Sequence, residues 1–168
     1  MNIIAIDPGT TKSGWVHLEG RAIRGGAGNS PNGDILRWIA GWSRTGEIDA
    51  IVCEWIQNQG MSVGQTTFHT CRWVGRFEQA AIDGGLPFQL VYRGDVKLHI
   101  CGAARANDTN IRRAICDLYP HTGGGAKPWK GTKEQPGPLF GVTTHQWQAL
   151  AVGLTFQEFK ELKIGEYE

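Results

Sequence analysis

No apolar run in this 168-residue chain is long enough to cross a bilayer, and its first residues lack the basic and extended apolar regions of a secretory signal. The expectation is therefore a cytoplasmic protein with no membrane partner. Cysteine is scarce, and Cys53, Cys71, Cys101 and Cys116 include no Cys-x-x-Cys pair. That argues against a zinc site or a disulfide framework and for reduced thiols among apolar neighbours. An excess of either charge is also missing, with 17 basic against 16 acidic residues for a net charge of +1. Any contact with nucleic acid must come from a local basic face and not from the total. The length suits one ordinary domain spanning 1–168. What the chain has in quantity is glycine and tryptophan, 24 and 7 residues. These counts point to many special backbone positions and to aromatic contact surfaces, without identifying a function.

The most informative stretch runs from Ile3 to Val16. Ile3, Ile4, Ala5 and Ile6 form an apolar run ending in Asp7, and Pro8-Gly9 then breaks the strand. After Thr10-Thr11-Lys12 the chain is apolar again at Trp15, Val16 and Leu18. Two strands joined by a tight turn would leave Asp7 at the rim of a buried strand, where a carboxylate can reach a divalent cation. The plainer alternative is an Asx-type turn closed by Asp7 on its own backbone.

Arg21 to Gly28 can close a three-strand meander. Pro31-Asn32-Gly33 reads as a turn, and from Asp34 the residues Ile35, Leu36, Trp38, Ile39 and Trp42 recur at helical spacing up to Gly46. Ala50 to Ile56 is a second buried run, interrupted by Glu54. An unpaired charge there would cost several kcal/mol, so Glu54 belongs at a strand end with a partner, either an Arg or Lys or a metal shared with Asp7. Gln57 to Ser62 is a polar loop. A long helix is expected over 63–82, with Val63, Phe68, Cys71, Val74, Phe77 and Ala81 as its apolar positions. His69, Arg72, Arg76 and Gln79 form a polar stripe best read as a solvated face. A strand over 87–92, a short helix over 93–101 carrying Lys97, and a helix over 109–118 capped by Asp108 follow.

Residues 120–142 are rich in Gly and Pro and carry Lys127, Trp129, Lys130 and Lys133. Lysines around a tryptophan suit phosphate contact with base stacking, and a flexible, soluble loop is the plain alternative. Thr143 and Gln146 have the spacing of a capping box, and Trp147, Leu150, Ala151, Leu154 and Phe156 carry the last helix into a core. His145 and Gln148 share a face of its first turn.

Asp7-Pro8-Gly9-Thr10 with Ser13-Gly14-Trp15, the Glu54 strand, Val96-Lys97, and His145-x-x-Gln148-Ala149-Leu150-Ala151 together resemble RuvC-type Holliday junction resolvases of the phage or prophage kind. The resemblance covers essentially the whole chain. It implies an α/β, ribonuclease H-like mixed five-stranded sheet, a three-strand meander plus two parallel strands, flanked by helices. It also implies Asp7 and Glu54 as metal carboxylates side by side, His145 as a further metal ligand, and Gln148 where the family usually has Asp. Implied with these are a pair of Mg²⁺ or Mn²⁺ ions, a homodimer, and endonucleolytic cutting of branched DNA by a cytoplasmic protein of a bacterium or phage-infected host. Helix 63–82 would then bear on the dimer face. Lys97, Arg105, Arg112, Lys127, Trp129, Lys130 and Lys133 are the candidates for DNA contact. Gln148 leaves open a junction-binding protein of the same fold with little catalysis. A single-domain relative of the actin-like ATPases, which also use a strand-Asp-Gly turn, is the reading from another class.

Overall fold

The apolar run at the start of the chain becomes the middle of a five-stranded sheet in the computed structural model, which describes residues 1–56 and 63–159. The strands are β1 (Asn2–Asp7), β2 (Lys12–Glu19), β3 (Ala22–Pro31), β4 (Ala50–Trp55) and β5 (Phe88–Tyr92), in the order β3-β2-β1-β4-β5. β1 to β3 form the antiparallel meander, while β4 pairs in parallel with both β1 and β5. Five helices flank the sheet: α1 (Asn32–Thr45), α2 (Gln65–Asp83), α3 (Arg93–Cys101), α4 (Asp108–Leu118) and α5 (Gln146–Phe159).

Alternation along the strands decides which helices cover which face. Ile4, Ile6, Ile51 and Cys53 point to the side packed by Ile35 and Ile39 of α1 and by Val74, Phe77 and Ala81 of α2. Ile3, Ala5, Val16, Leu18, Ala50 and Val52 point to the other side, under α3, α4 and α5. Because both faces are covered, β1 and β4 read as continuous apolar runs and not as alternating ones. Each fully buried Ile of β1 contributes about 1.5–3 kcal/mol by leaving water. Cys53 and Cys116 are buried, Cys71 and Cys101 half-buried, and all four are free thiols.

Several expected boundaries shift. β3 continues to Pro31, and α1 begins at Asn32, inside what reads as a turn; Gly46 ends it in the left-handed conformation with φ 66°. In α2 the buried stripe is Thr70, Val74, Phe77 and Ala81, while Val63 and Phe68 are exposed, Phe68 to 64%. Phe68 in its first turn and Val63 just before it are left uncovered, so apolar spacing there does not mean core. Asp108 is not the cap of α4. Asn107 accepts from the Asn110 N–H at 3.0 Å, and the Asn110 side chain accepts from the Asn107 N–H at 3.1 Å, a reciprocal capping box that frees Asp108. The loop expected over 57–62 lies outside the described residues. No described helix is long and apolar enough to cross a membrane.

α5 is buried on all sides from Gln146 to Phe156, as a helix wedged between a sheet and further helices must be. Gly153 lets it approach the sheet: a Cβ there would sit 3.0 Å from Ala5 Cβ and 2.5 Å from Leu18 Cδ1. A helical Gly→Ala exchange ordinarily gains up to about 1 kcal/mol, and overpacking a core costs about 1–3 kcal/mol. The second effect dominates here because Ala5 sits on the central strand and cannot rotate away. Gly153→Ala is therefore expected to lower stability by about 1 kcal/mol, read as a lower urea midpoint at constant slope.

Candidate functional site

Strand parity brings two carboxylates together. Asp7 and Glu54 each lie one residue beyond the paired positions Ile6 and Cys53 at the ends of adjacent parallel strands. Both share the parity of the residues facing α5. Neither is in bulk water, since Glu54 is 7% exposed and the Asp7 side chain 13%. Burial, and then the negative charge of Glu54, push the Asp7 carboxyl up to about 8. Burial also raises Glu54, but the Arg93 guanidinium beside it pulls the other way. The two carboxyls titrate as a pair, and the guanidinium beside Glu54 favours ionisation of that member over Asp7.

Arg93 answers the question of what pairs with Glu54. It follows β5 directly, and its Nη1 donates to Glu54 Oε1 at 3.0 Å and to Oε2 at 3.3 Å. Its Nη2 reaches Asp108 Oδ1 at 2.6 Å. The arginine-type partner expected as the plain alternative is present, and Asp108, released from capping, anchors it.

The turn after Asp7 is tied down by a buried network. Gly9 N donates to Ser13 Oγ at 3.1 Å, Ser13 Oγ donates to Asn32 Oδ1 at 2.7 Å, and Asn32 Nδ2 donates to the Gly9 carbonyl at 2.9 Å. Asn32 also donates its backbone N–H to Thr11 O at 2.9 Å. The turn is therefore held by Ser13 and by the first residue of α1. On β2, Gly14 pairs with Asp7, and a Cβ on it would lie 2.5 Å from the His145 carbonyl oxygen. Only glycine lets the start of α5 settle onto the sheet there. The result places His145 Nδ1 at 3.5 Å from Asp7 Oδ2, with the His145 side chain 65% exposed. Thr144, just before it, holds a φ of 32°, and the Gln146 side chain accepts from the Thr143 N–H at 2.8 Å, one half of the expected capping box. One turn on, Gln148 is buried, and its Oε1 has no hydrogen-bond partner. A buried acceptor without a donor costs about 1–3 kcal/mol and calls for an explanation.

The architecture has close counterparts among solved structures. T. thermophilus RuvC in complex with a Holliday junction substrate superposes with a TM-score of 0.70 at 18% identity, covering 96% of each chain. A second Thermus thermophilus RuvC structure gives 0.69 at 17% identity, again over 96% of both chains. This is the RuvC fold. No protein-family model matches the chain, and no curated protein matches it in sequence.

Within this RuvC fold the expected basic residues fall into four places. Lys97 is half-buried on α3. Arg105 is exposed beyond the end of α3 and lines a cleft of about 450 Å³ together with Asn110, Arg113 and Asp117. Arg112 on α4 lies with its guanidinium 5.0 Å over the ring of Trp147, beside Gln148. The 120–142 segment is neither a helix nor an untethered loop. Gly123 N bonds Pro128 O, Gly124 N and Thr132 N bond Gln135 O, Gly137 N bonds Lys130 O, and Leu139 N bonds Trp129 O. Trp129 packs against the α5-side core and 5.3 Å from the His121 ring, so its faces are largely spent within the protein. Lys127 and Lys133 are exposed, Lys130 half-buried. Ser13, Gly14, Asn32, Arg93 and Asp108 are the site residues that sequence reasoning did not assign. For Gly14 the Ser-Gly-Trp motif was a signal; for Arg93 none existed beyond the need for some cation.

The donor set fits a divalent cation within limits. Among the described residues no three His, Cys, Asp or Glu side chains group closely enough to hold a metal alone. Yet two buried carboxylates, one of them pushed up by burial and by the charge of the other, with an imidazole beside it, are what a hard cation completes. Magnesium-type sites commonly use one or two carboxylates and fill the rest with water and substrate phosphate.

The polar network around Asn32 makes a prediction independent of any ligand. Asn32→Ala deprives the Ser13 O–H of its acceptor and the Gly9 carbonyl of its donor, at about 1–3 kcal/mol. Chemical denaturation should show that loss, with the sheet's circular dichroism retained in the folded protein.

Proposed function

We propose that the chain is a metal-dependent endonuclease that cuts branched DNA in the manner of a Holliday junction resolvase, working as a homodimer of a single-domain protein. The observation that carries this is the buried Asp7–Glu54 pair at the ends of adjacent parallel strands, under the start of a helix bearing His145 and Gln148. The likeness to a RuvC protein bound to a Holliday junction substrate supports the choice of DNA.

Asp7, Glu54 and His145 would hold Mg²⁺ or Mn²⁺, with the Gln148 oxygen as a neutral donor. Bound divalent ions supply charge stabilisation to the attacking and leaving oxygens of a phosphodiester. The chain's own part is to hold those ligands still. The Ser13–Asn32–Gly9 network fixes the turn after Asp7, and Gly14 fixes His145 over it. Arg93 orients Glu54. The imidazole makes Mn²⁺ more acceptable than an all-oxygen site would. Lys97, Arg105, Arg112, Lys127, Lys130 and Lys133 supply the phosphate contacts. The exposed start of α2, with Val63 and Phe68, supports a role for this helix at the dimer face.

Gln148 favours one rival specifically. An amide in place of a carboxylate weakens metal binding, and a junction-binding protein with little catalysis follows if the site cannot retain its ions. Incubation with a synthetic four-way junction and either Mg²⁺ or Mn²⁺ separates the two. Binding of nucleotide without DNA would instead favour the ATPase-like reading.

Asp7→Asn should abolish junction cleavage while junction binding stays equal or tightens, because a negative charge near phosphate is removed. Undiminished cutting by that variant, in a gel assay, would sink the nuclease reading.

If Lys127, Lys130 and Lys133 each meet a phosphate, replacing all three with Ala should weaken junction binding. It should also flatten its log-log salt dependence by about one unit per lost contact. A slope equal to that of the unmodified protein would remove the segment from the DNA surface.

A further inference from the structure

Arg93 orients Glu54 in the proposed site, and its charge there has a further consequence for what the site can bind. Its guanidinium, 35% exposed, covers both oxygens of Glu54 and is anchored on its far side by Asp108 at the first turn of α4. Three independent features hold it there. It is the first residue of α3, so its backbone is fixed by the helix start. Asp108 is spare because Asn107 caps α4. Glu54 is held by β4, where it pairs with Val91 of β5 two residues before Arg93. A fork with two carboxylates is a strong, directional arrangement in a partly buried setting.

Charge then limits what else the site can hold. With Asp7 ionised, as a metal ligand must be, Asp7, Glu54 and Asp108 against Arg93 leave a formal charge of −2, to which a neutral Gln148 adds nothing. One divalent ion balances that charge, whereas two would leave a surplus of +2 in a partly desolvated site. The oxygens of Glu54 are also already engaged by an N–H donor, while among the described residues the ion-pair partner of Asp7 is the His145 imidazole at 3.5 Å.

We infer that Arg93 is a positioning residue that stands where a second divalent ion would neutralise Glu54, so that each chain binds a single Mg²⁺ or Mn²⁺, centred on Asp7. This rests on the nuclease reading of the Asp7–Glu54 site. Arg93 orients Glu54 and sets metal stoichiometry, and it does so in the folded protein before any DNA is bound.

The test is Mn²⁺ binding to the full chain without DNA, by calorimetry and by the paramagnetic resonance signal of free Mn²⁺. The unmodified protein should take up one ion per chain. Arg93→Ala should bind Mn²⁺ on the order of tenfold or more tightly, since a cation a few ångströms from the ion is gone, and should admit a second ion. Arg93→Lys, which keeps the charge but not the fork, should remain at one ion. Arg93→Gln removes the charge yet keeps an N–H for Glu54, and it should behave as Arg93→Ala does should the alanine variant unfold. Two ions per unmodified chain would overturn the inference, as would an affinity indifferent to loss of the Arg93 charge. Asp7→Asn serves as the control on the underlying reading. Its loss of Mn²⁺ binding supports a metal centre at Asp7, and Mn²⁺ binding equal to that of the unmodified protein would overturn site and inference together.

Discussion

Two carboxylates forced together at the covered end of a sheet are the constraint on which the rest of the site depends. Parallel pairing of β1 with β4 puts Asp7 and Glu54 on the same face, and both are largely withdrawn from solvent. Two negative charges in that position cannot both persist without a counter-charge, because burial and mutual repulsion act in the same direction on each. The chain resolves the conflict unequally. Glu54 receives a guanidinium, and Asp7 is left to share a proton. This unequal treatment is costly to fold around and serves no packing purpose, which is the physical ground for reading the pair as functional.

Everything nearby keeps that pair in place. Gly14 of β2 lies under His145 just before α5, Gly153 lies on the third turn of α5 itself, and each is a point where a single methyl group would lift the helix from the sheet. Their spacing lets a helix buried on all sides lie flat across β1 and β2, with its N-terminal end over Asp7. On the opposite layer, Asn32 joins the first residue of α1 to the turn that follows Asp7. The site is thus clamped from both faces of the sheet, by close backbone approach on the α5 side and by the short Ser13 and Asn32 side chains on the α1 side, while Arg93 holds Glu54.

Much of this was legible in the sequence, for reasons that differ by element. The strand-end positions of Asp7 and Glu54 could be read because a carboxylate terminating a run such as Ile3–Ile6, or interrupting Ala50–Ile56, conflicts with burial unless it sits at an end. The meander and the parallel pair followed from the order of elements and the resemblance to RuvC-type resolvases. Phe68 and Val63 misled because helical periodicity reports an apolar face and not what covers it; both are exposed at the start of α2. Asp108 was mistaken for a cap because Asn107 and Asp108 are both good N-caps, and only the reciprocal bond to Asn110 decides between them. Arg93 was illegible for a deeper reason. Its role arises from β4, β5, α3 and α4 meeting at one point, and no local pattern encodes a contact across 39 residues.

Gln148 shows how these constraints combine. On its own, a glutamine in the first turn of a helix is an ordinary polar residue. Set one turn after His145 on a wholly buried helix, it becomes an oxygen with nothing to accept from. A carboxylate there would have added a fourth negative charge to Asp7, Glu54 and Asp108, against which Arg93 is the guanidinium that the described residues supply. The amide keeps the acceptor and omits the charge, which matches a site that has already committed a guanidinium to Glu54. Gln148 and Arg93 are therefore best understood together: one lowers the negative charge of the site and the other offsets part of what remains. The electrostatic demand that survives is concentrated at Asp7, beside His145 and at the mouth of the turn that the buried Ser13–Asn32 network holds rigid.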